Sequence, residues 1–310
     1  MAIETNDLSK RFGDLVAVDK AGLSVPAGSV FGFVGPNGAG KTTLIRILLG
    51  LTRRNGGSAR LLDFPIPEKS SLALRRVGAI IEEPRFHAHL TGRENLQVIA
   101  AARDPEARAR VRPALDRVGL AERADKRVKT YSTGMRQRLG VARCLIADPL
   151  LLILDEPMNG LDPAGIEELR EMIRGLAGEG RTVFLSSHLL DEVQKICDHV
   201  AIIDKGRILM QGPVEDVTWA GYPSVRIRCD LPDKALGLLE TNPKVELMRR
   251  EGDAIIVKVD AESAAVLDAV VADLNRRLVK SGISVYMVKI ESISLEKRFL
   301  EVTSRLEARE

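Results

Sequence analysis

Continuous apolar runs alternate with amphipathic patterns through the first two thirds of the chain. The runs "SVFGFVG", "LLLILDEP" and "TVFLSSH" are mostly apolar, whereas "TTLIRILLG" and "GIEELREMIRGLAGEG" repeat apolar positions every three or four residues. Strands without a polar face, separated by amphipathic helices, are typical of a sheet that helices cover on both sides. We therefore predict an α/β domain with a mixed sheet over residues 1–215.

One stretch of this domain lacks strand signals. Between about residues 83 and 140, segments such as "TGRENLQVIAAARD" and "PEARARVRPALDRVGL" carry the helical pattern instead. We predict a helical subdomain inserted into the sheet domain.

The pattern changes again over residues 216–310. The short β-rich run "SVRIRCD", the hairpin-like "VELMRREGDAIIVKVD", two helical segments and the run "ISVYMVKIES" give a β-α-β-β-α-β order. This order predicts a small ferredoxin-like α+β domain followed by a charged terminal helix. We interpret the domain as a dimer-supporting or regulatory appendage, with direct substrate sensing as the alternative.

Composition limits the classes of partner. The 310 residues carry a formal net charge of +3 and only 4% aromatic side chains, which disfavours a dedicated nucleic-acid surface.

Three scattered cysteines form no C-x-x-C pair, and His87 and His89 form an H-x-H pair without further ligands. No run approaches the ~20 apolar residues that cross a bilayer. We expect a cytoplasmic protein that reaches a membrane only through a partner.

The stretch "GPNGAGKTT" fits the P-loop pattern between a strand and a helix. Its glycines let backbone N–H groups face phosphate oxygens, Lys41 can neutralise the outer phosphates, and Thr42 can place its hydroxyl on Mg²⁺. The fold class is thus a P-loop ATPase core with ATP and Mg²⁺ as cofactors. We assign nucleotide contacts in this loop to Gly35, Asn37, Gly38, Ala39, Gly40, Lys41, Thr42 and Thr43.

A second motif supplies carboxylates. In "LLLILDEP", Asp155 follows a buried strand, where a Mg²⁺-associated carboxylate belongs in an open α/β sheet. Glu156 comes next and can activate an attacking water. The alternative is that both residues merely end the strand.

Residues 1 to about 215 resemble the ATP-binding subunit of an ABC transporter. "GPNGAGKTT" corresponds to Walker A, "LLLILDEP" to Walker B, "YSTGMRQRLGVARCL" to the signature, "NGLDP" to the D-loop and "SSH" to the switch histidine, in family order. The resemblance implies a head-to-tail dimer with a second copy or a close relative. It further implies adenine contacts at Phe12 and Val18, γ-phosphate contacts at Ser132, Gly134 and His188, and communication between sites at Asp162.

Three positions depart from the family pattern. Thr133 and Met135 replace a glycine and a glutamine of the signature, and Glu82 stands where the family usually has a glutamine that touches Mg²⁺. A threonine is excluded from glycine-only backbone conformations, and a thioether cannot replace an amide's hydrogen bonds. We expect Glu82 to be a third metal ligand beside Thr42 and Asp155; the alternative is that it faces solvent.

The "IEEP" variant resembles that of antibiotic-export ATPases of the bacitracin-resistance type. The resemblance implies a two-component exporter of antibiotic, peptide or other amphiphilic cargo, with lipid-linked, polysaccharide or ion export as further options. Its partner would be a separately encoded polytopic permease, which holds the chain on the inner face of the cell membrane. The alternatives are a soluble ABC ATPase acting on nucleic acid or ribosomes, and a nucleotide-binding regulator without turnover.

Overall fold

The computed structural model describes residues 1–219, 223–261, 264–291 and 293–307. The chain divides into two compact units, Met1–Val214 and Glu215–Glu310. In the described part of the chain, no helix is both long enough and apolar enough to span a membrane.

The first unit alternates strands and helices, as the hydrophobic pattern predicts. Its strands are β1 (Ile3–Phe12), β2 (Leu15–Val25), β3 (Val30–Val34), β4 (Gly56–Leu61), β5 (Phe64–Ile66), β6 (Val77–Ile80), β7 (Leu151–Leu154), β8 (Thr182–Ser187), β9 (His199–Asp204) and β10 (Arg207–Pro213). Its helices are α1 (Lys41–Leu48), α2 (Ser70–Ala73), α3 (Gly92–Ala101), α4 (Val111–Arg117), α5 (Thr133–Leu145), α6 (Pro163–Gly178) and α7 (Leu190–Ile196); α8 (Val214–Trp219) crosses the boundary between the units.

The central sheet has the order β10-β9-β3-β8-β7-β6. Strands β6, β7, β8, β3 and β9 pair in parallel, and β10 is antiparallel to β9, so the sheet is mixed as predicted. Every residue of β3, β7 and β8 is buried, because side chains on both faces of these strands are covered. The chain leaves β3, β7 and β8 at one edge of the sheet, where the P-loop, Asp155 and "SSH" follow.

A second, antiparallel sheet has the order β2-β1-β4-β5. One core cluster joins this sheet to the central sheet and to α1, because it contains Leu8 of β1, Leu23 of β2, Phe33 of β3 and Ile45 of α1. The P-loop therefore leads from the central strand β3 into a helix whose apolar face is packed in the core.

The stretch between β6 and β7 is helical, as predicted. It contains α3, α4, α5 and short 3-10 turns, and Thr91 and Arg127 form an isolated bridge within it. The start of α3 is fixed by a capping box, in which the Thr91 hydroxyl accepts from the Glu94 N–H and the Glu94 carboxylate accepts from the Thr91 N–H. Helix α5 continues to Leu145, beyond the predicted limit near residue 140, because its apolar positions remain buried there.

The second unit contains β11 (Ser224–Cys229), α9 (Pro232–Leu239), β12 (Val245–Glu251), β13 (Ala254–Val259), α10 (Ala264–Lys280), β14 (Val285–Glu291) and α11 (Leu295–Glu307). Its antiparallel sheet has the order β12-β13-β11-β14. This is the strand order of a ferredoxin-like fold, which confirms the prediction. Gly252, with φ of +62°, makes the predicted hairpin turn between β12 and β13. Residues 308–310 of the predicted terminal helix lie outside the described residues.

The three cysteines are free thiols in buried positions. Cys144 lies in α5 and Cys197 follows α7 in the first unit, whereas Cys229 ends β11 in the second. Each of them is at most 8% exposed. The three thiols are thus packed inside the two units.

Candidate functional site

The P-loop is a tight turn between β3 and α1. Gly38 and Gly40 have φ of +83° and +105°, a region that side chains disfavour. A Cβ atom on Gly40 would lie 2.3 Å from the Ala17 carbonyl oxygen. Because β2 closes so tightly against the loop, only glycine fits at Gly40. The loop delivers the chain into α1 at Lys41, where free backbone N–H groups of the helix N-terminus favour anions.

Lys41 lies across this loop and is only 6% exposed. Its Nζ donates to the carbonyl oxygens of Gly35 (2.6 Å) and Pro36 (3.2 Å) and lies 3.1 Å from Oε1 of Glu156. The ammonium therefore connects the P-loop to the carboxylate of Glu156, which comes shortly after β7.

Asp155 follows β7 and is 3% exposed. Its Oδ2 accepts from the Thr42 hydroxyl at 2.9 Å, and its Oδ1 accepts from the Ser186 hydroxyl at 2.6 Å. The structure thus brings together Thr42 and Asp155, two of the three residues assigned to Mg²⁺ from the sequence. Sequence reasoning missed Ser186 as a contact; its position at the end of β8, beside β7, was the available signal.

Glu156 is held by contacts on both of its ends. Its backbone N–H donates to the Ser186 hydroxyl at 2.9 Å, and its φ of +48° is unusual for a side-chain-bearing residue. Its Oε2 lies 2.9 Å from Nδ1 of His188, and its Oε1 faces Lys41. One carboxylate therefore joins the P-loop lysine to the predicted switch histidine.

A cavity of about 570 Å³ lies beside the P-loop. Its walls contain several residues that the sequence assigned to the nucleotide, namely Phe12, Asn37, Gly38, Gly40, Lys41, Thr42 and Thr43. They also contain Val16 and Lys205, which sequence reasoning missed. Two other assigned loop residues face the protein interior instead. Ala39 belongs to the core cluster, and a Cβ on Gly35 would lie 2.3 Å from the Ile203 carbonyl oxygen.

The segment predicted to contact adenine has one residue that does not line the cavity. Val18 is fully buried in the core cluster, so its side chain is not at the surface of the cavity. Leu15, Val16 and Ala17, at the start of β2, line the cavity in its place. The reason is that β2 runs inward from its first residues, and Val18 has already entered the core.

Phe12 stands at the rim of the cavity with 51% of its surface exposed. The Nζ atom of Lys10 lies 4.6 Å from the ring centroid and donates to the Arg53 carbonyl oxygen at 2.8 Å. The ring is thus braced by a cation while remaining accessible to a planar ligand.

Removal of this ring is expected to weaken ATP binding modestly. For Phe12→Ala, we expect a loss of about 1 to 2 kcal/mol, the usual contribution of an aromatic stacking contact. Calorimetric titration with ATP measures the change, and Leu51→Ala, at another exposed apolar residue, is the matched control. An unchanged affinity in Phe12→Ala would place the base elsewhere.

Glu82 does not share a cluster with the other two carboxylates. It lines a cavity of about 360 Å³ with Thr42, Asp155 and Glu156, but its Oε1 is bound at 2.6 Å by Arg46 of α1. Its side chain is 62% exposed. Across the part of the chain that the structure describes, no three His, Cys, Asp or Glu side chains form a metal-binding group. Arg46 thus holds the Glu82 carboxylate at this cavity, and Glu82 as a third metal ligand stays a prediction.

The signature segment begins α5. Ser132 caps this helix, with its hydroxyl accepting from the Met135 N–H at 3.2 Å. Thr133 is the first helical residue and has no positive φ, so its branched side chain meets no backbone conflict. Its hydroxyl instead accepts from Arg136 at 3.2 Å. A Cβ on Gly134 would meet its nearest neighbour only at 3.7 Å, so its backbone is open to an approaching group.

The remaining predicted residues have simpler surroundings. Asp162 caps α6 by accepting from the Gly165 N–H at 3.0 Å. His87 and His89 are exposed side by side, with ring centroids 5.9 Å apart. Both side chains therefore lie at the surface.

Comparison with known proteins places this site in a family. Residues 18–159 match the family described as ABC transporter. Over 301 residues the chain is 38% identical to the bacitracin transport ATP-binding protein BcrA of Bacillus licheniformis, covering 97% of this chain and 96% of that protein. It is 40% identical over 209 residues to the lantibiotic transport ATP-binding protein SrtF of Streptococcus pyogenes, covering 67% of this chain and 90% of that protein.

Solved structures agree with the sequence comparison. The structure of cbiO1 from Clostridium perfringens, part of the ABC transporter complex cbiONQ, matches with a TM-score of 0.65 and 27% identity, covering 70% of this chain and 90% of that chain. The chain is 38% identical to a relative over almost its whole length, and the P-loop, the carboxylates and the histidine meet at one edge of the sheet. The chain therefore belongs to the ABC transporter ATP-binding proteins, which are ATPases coupled to transport.

Proposed function

We propose that this chain hydrolyses Mg²⁺-ATP at the site between Lys41, Asp155, Glu156 and His188 and thereby powers the export of a peptide antibiotic or similar amphiphile. The observation that carries the catalytic part is the position of the Glu156 carboxylate, which contacts both the P-loop lysine and the histidine. A base at this position can reach a water beside the outer phosphate of a nucleotide held by the loop.

The loop residues would bind and orient the nucleotide. The backbone N–H groups at the start of α1 and the Lys41 ammonium supply positive charge to the triphosphate, and Phe12 supplies a surface for the base. His188, hydrogen-bonded to Glu156, would orient the water and contact the γ-phosphate. Glu156 would accept the proton of that water as it attacks.

The donor set beside the loop fits Mg²⁺. The Thr42 hydroxyl and the Asp155 carboxylate meet at 2.9 Å, and hard oxygen ligands of this kind suit a cation that keeps several waters and binds substrate phosphates. A single buried carboxylate agrees with that preference, since Mg²⁺ seldom sits in an all-protein cage. When bound, Mg²⁺ neutralises phosphate charge in the transition state.

A complete site would need a second subunit. We propose that Ser132 and the Gly134 backbone contact the γ-phosphate held by the opposing subunit of a head-to-tail dimer, and that Asp162 links the two sites. The exposed cap of α5 supports this assignment, because the Ser132 side chain and the open Gly134 backbone stand at a helix N-terminus, which favours anions. The second subunit would be another copy of this chain or a close relative.

The relatives support a proposal for the cargo and the membrane partner. The match to a bacitracin transport protein extends through the ferredoxin-like unit, since it covers 97% of this chain. We propose a separately encoded polytopic permease as the partner, which would place the chain on the inner face of the membrane. Both named relatives are transport proteins, which favours the exporter over a nucleic-acid or ribosome-associated ATPase.

The test is co-purification with the permease encoded nearest to this gene, followed by ATPase assays in liposomes. Bacitracin-like peptides and lantibiotics are expected to raise ATP turnover of the complex several-fold, while the same assay with Glu156→Gln is the inactive control. Stimulation by RNA or ribosomes, with none by the permease and its cargo, would support the alternative instead.

A further inference from the structure

Ser186 is a fully buried hydroxyl at the end of β8. The register of the central sheet determines its neighbours, because Leu185 of β8 pairs with Leu154, the last residue of β7. The next residue on each strand is therefore Ser186 on one side and Asp155 on the other. The pairing of two parallel strands thus brings this hydroxyl beside the buried carboxylate, although the two residues are distant along the chain.

The hydroxyl uses its hydrogen-bonding capacity on both carboxylate-bearing residues. It donates to Oδ1 of Asp155 at 2.6 Å and accepts from the Glu156 N–H at 2.9 Å. A serine hydroxyl has one proton to donate, so the Asp155 contact consumes it. The direction of both hydrogen bonds is therefore fixed.

The first contact sets the orientation of the Asp155 carboxylate. Because Oδ1 is bound by Ser186, the other oxygen, Oδ2, faces the Thr42 hydroxyl. Thr42 is the second residue of α1 and lines the cavity on that side. Ser186 thus presents one defined oxygen of Asp155 to the place where the metal would bind.

The second contact sets the backbone of Glu156. This residue has φ of +48°, a left-handed conformation that costs a side-chain-bearing residue free energy. Its N–H is bonded to Ser186, and the same conformation directs its carboxylate to Lys41 and His188. A single buried hydroxyl therefore supports the position of both carboxylates.

We propose that Ser186 is a positioning residue for the ATPase reaction. It aligns Asp155 for Mg²⁺ and Glu156 for the attacking water, and it touches neither the metal nor the water itself. This inference rests on the proposed Mg²⁺-ATP hydrolysis at this site. It assigns a role to a side chain that the P-loop, Walker B and histidine contacts do not include.

The test compares Ser186→Ala with Ser187→Ala in the full chain. Ser187 is the matched control, because it is also a buried serine of β8, only 1% exposed, but its hydroxyl accepts from the Leu189 N–H instead. Loss of a buried hydrogen-bond partner is expected to lower kcat of Ser186→Ala by about 10- to 100-fold, while the KM for Mg²⁺-ATP rises only several-fold. Ser187→Ala should retain the wild-type kcat.

A binding measurement gives a readout independent of turnover. Calorimetric titration with ATP, in Mg²⁺ and again in EDTA, yields the factor by which the metal tightens nucleotide binding. We expect this factor to fall several-fold in Ser186→Ala and to be unchanged in Ser187→Ala. A chain that binds Mg²⁺-ATP without hydrolysing it would contradict the proposed function, while this comparison would still test Ser186.

Ser186→Cys is the second variant in case Ser186→Ala does not fold, as judged by thermal unfolding. The thiol is a weaker donor of similar shape, so a loss in the same direction but smaller is expected. Wild-type kcat and wild-type metal dependence in a folded Ser186 variant, or equal losses in the Ser186 and Ser187 variants, would overturn the proposal.

Discussion

Replacing Glu156 by glutamine is expected to leave ATP binding intact and to reduce turnover by about 10²- to 10⁴-fold, the usual range for loss of a general base. The amide keeps the shape of the side chain and can still contact Lys41 and His188, whose atoms lie 3.1 and 2.9 Å from the two carboxylate oxygens. It cannot accept the proton of the attacking water. The barrier should rise by about 3 to 5 kcal/mol.

Two measurements check this result. Steady-state phosphate release gives the turnover, and size-exclusion chromatography with light scattering detects the ATP-stabilised dimer that should accumulate in Glu156→Gln. Glu171→Gln, at an exposed position of α6, is the control and should behave as wild type. Wild-type turnover in Glu156→Gln would remove this residue from the mechanism.

Replacing Lys41 by alanine is expected to weaken ATP binding as well as hydrolysis. The ammonium is the buried cation of the P-loop and bonds two loop carbonyls, so its removal takes away both charge and the packing of the loop. A hydrogen bond to a charged group contributes about 1.5 to 3 kcal/mol, which corresponds to roughly 10- to 150-fold in affinity. Glu156 also loses its partner, so hydrolysis should fall further than binding.

Calorimetry on the purified chain separates these effects. Lys41→Met, which keeps most of the chain length without the charge, tests whether charge or shape is responsible and should resemble Lys41→Ala. Lys234→Ala in the ferredoxin-like unit is the control, because that lysine bonds the Ser281 carbonyl oxygen in another part of the fold. Undiminished affinity in Lys41→Ala would contradict the role assigned to this residue.

Local pattern was sufficient to predict the elements that carry the site. The apolar run before Asp155 specifies a strand and its end within a few residues. The glycines around Lys41 specify a tight loop in the same way. The side-chain period of the second unit likewise predicted its β-α-β-β-α-β order, because alternation and helical spacing are local properties.

The remaining contacts depend on pairing between distant segments. Ser186 meets Asp155 through the register of two parallel strands, and Glu82 meets Arg46 through the approach of a loop to α1. Val18 lies in the core rather than in the cavity because β2 runs inward from its first residues and packs into the core cluster, which the pattern of one strand does not encode. Such pairings are decided by the whole fold.

The burial of the three cysteines has a practical consequence for measuring the opening of each unit. Burial raises the pKa of Cys144 to about 11 and raises the pKa of Cys197 well above its usual range, so both thiols are held protonated at neutral pH. Since the thiolate is the reactive form, alkylating reagents can modify them only when the surrounding structure opens. A Cys229→Ser variant would therefore confine labelling to the ATPase unit, and the rate of alkylation would report its local unfolding with and without nucleotide. Conversely, a variant that keeps only Cys229 would report the local unfolding of the ferredoxin-like unit. One alkylating reagent can therefore measure the opening rates of the two units separately.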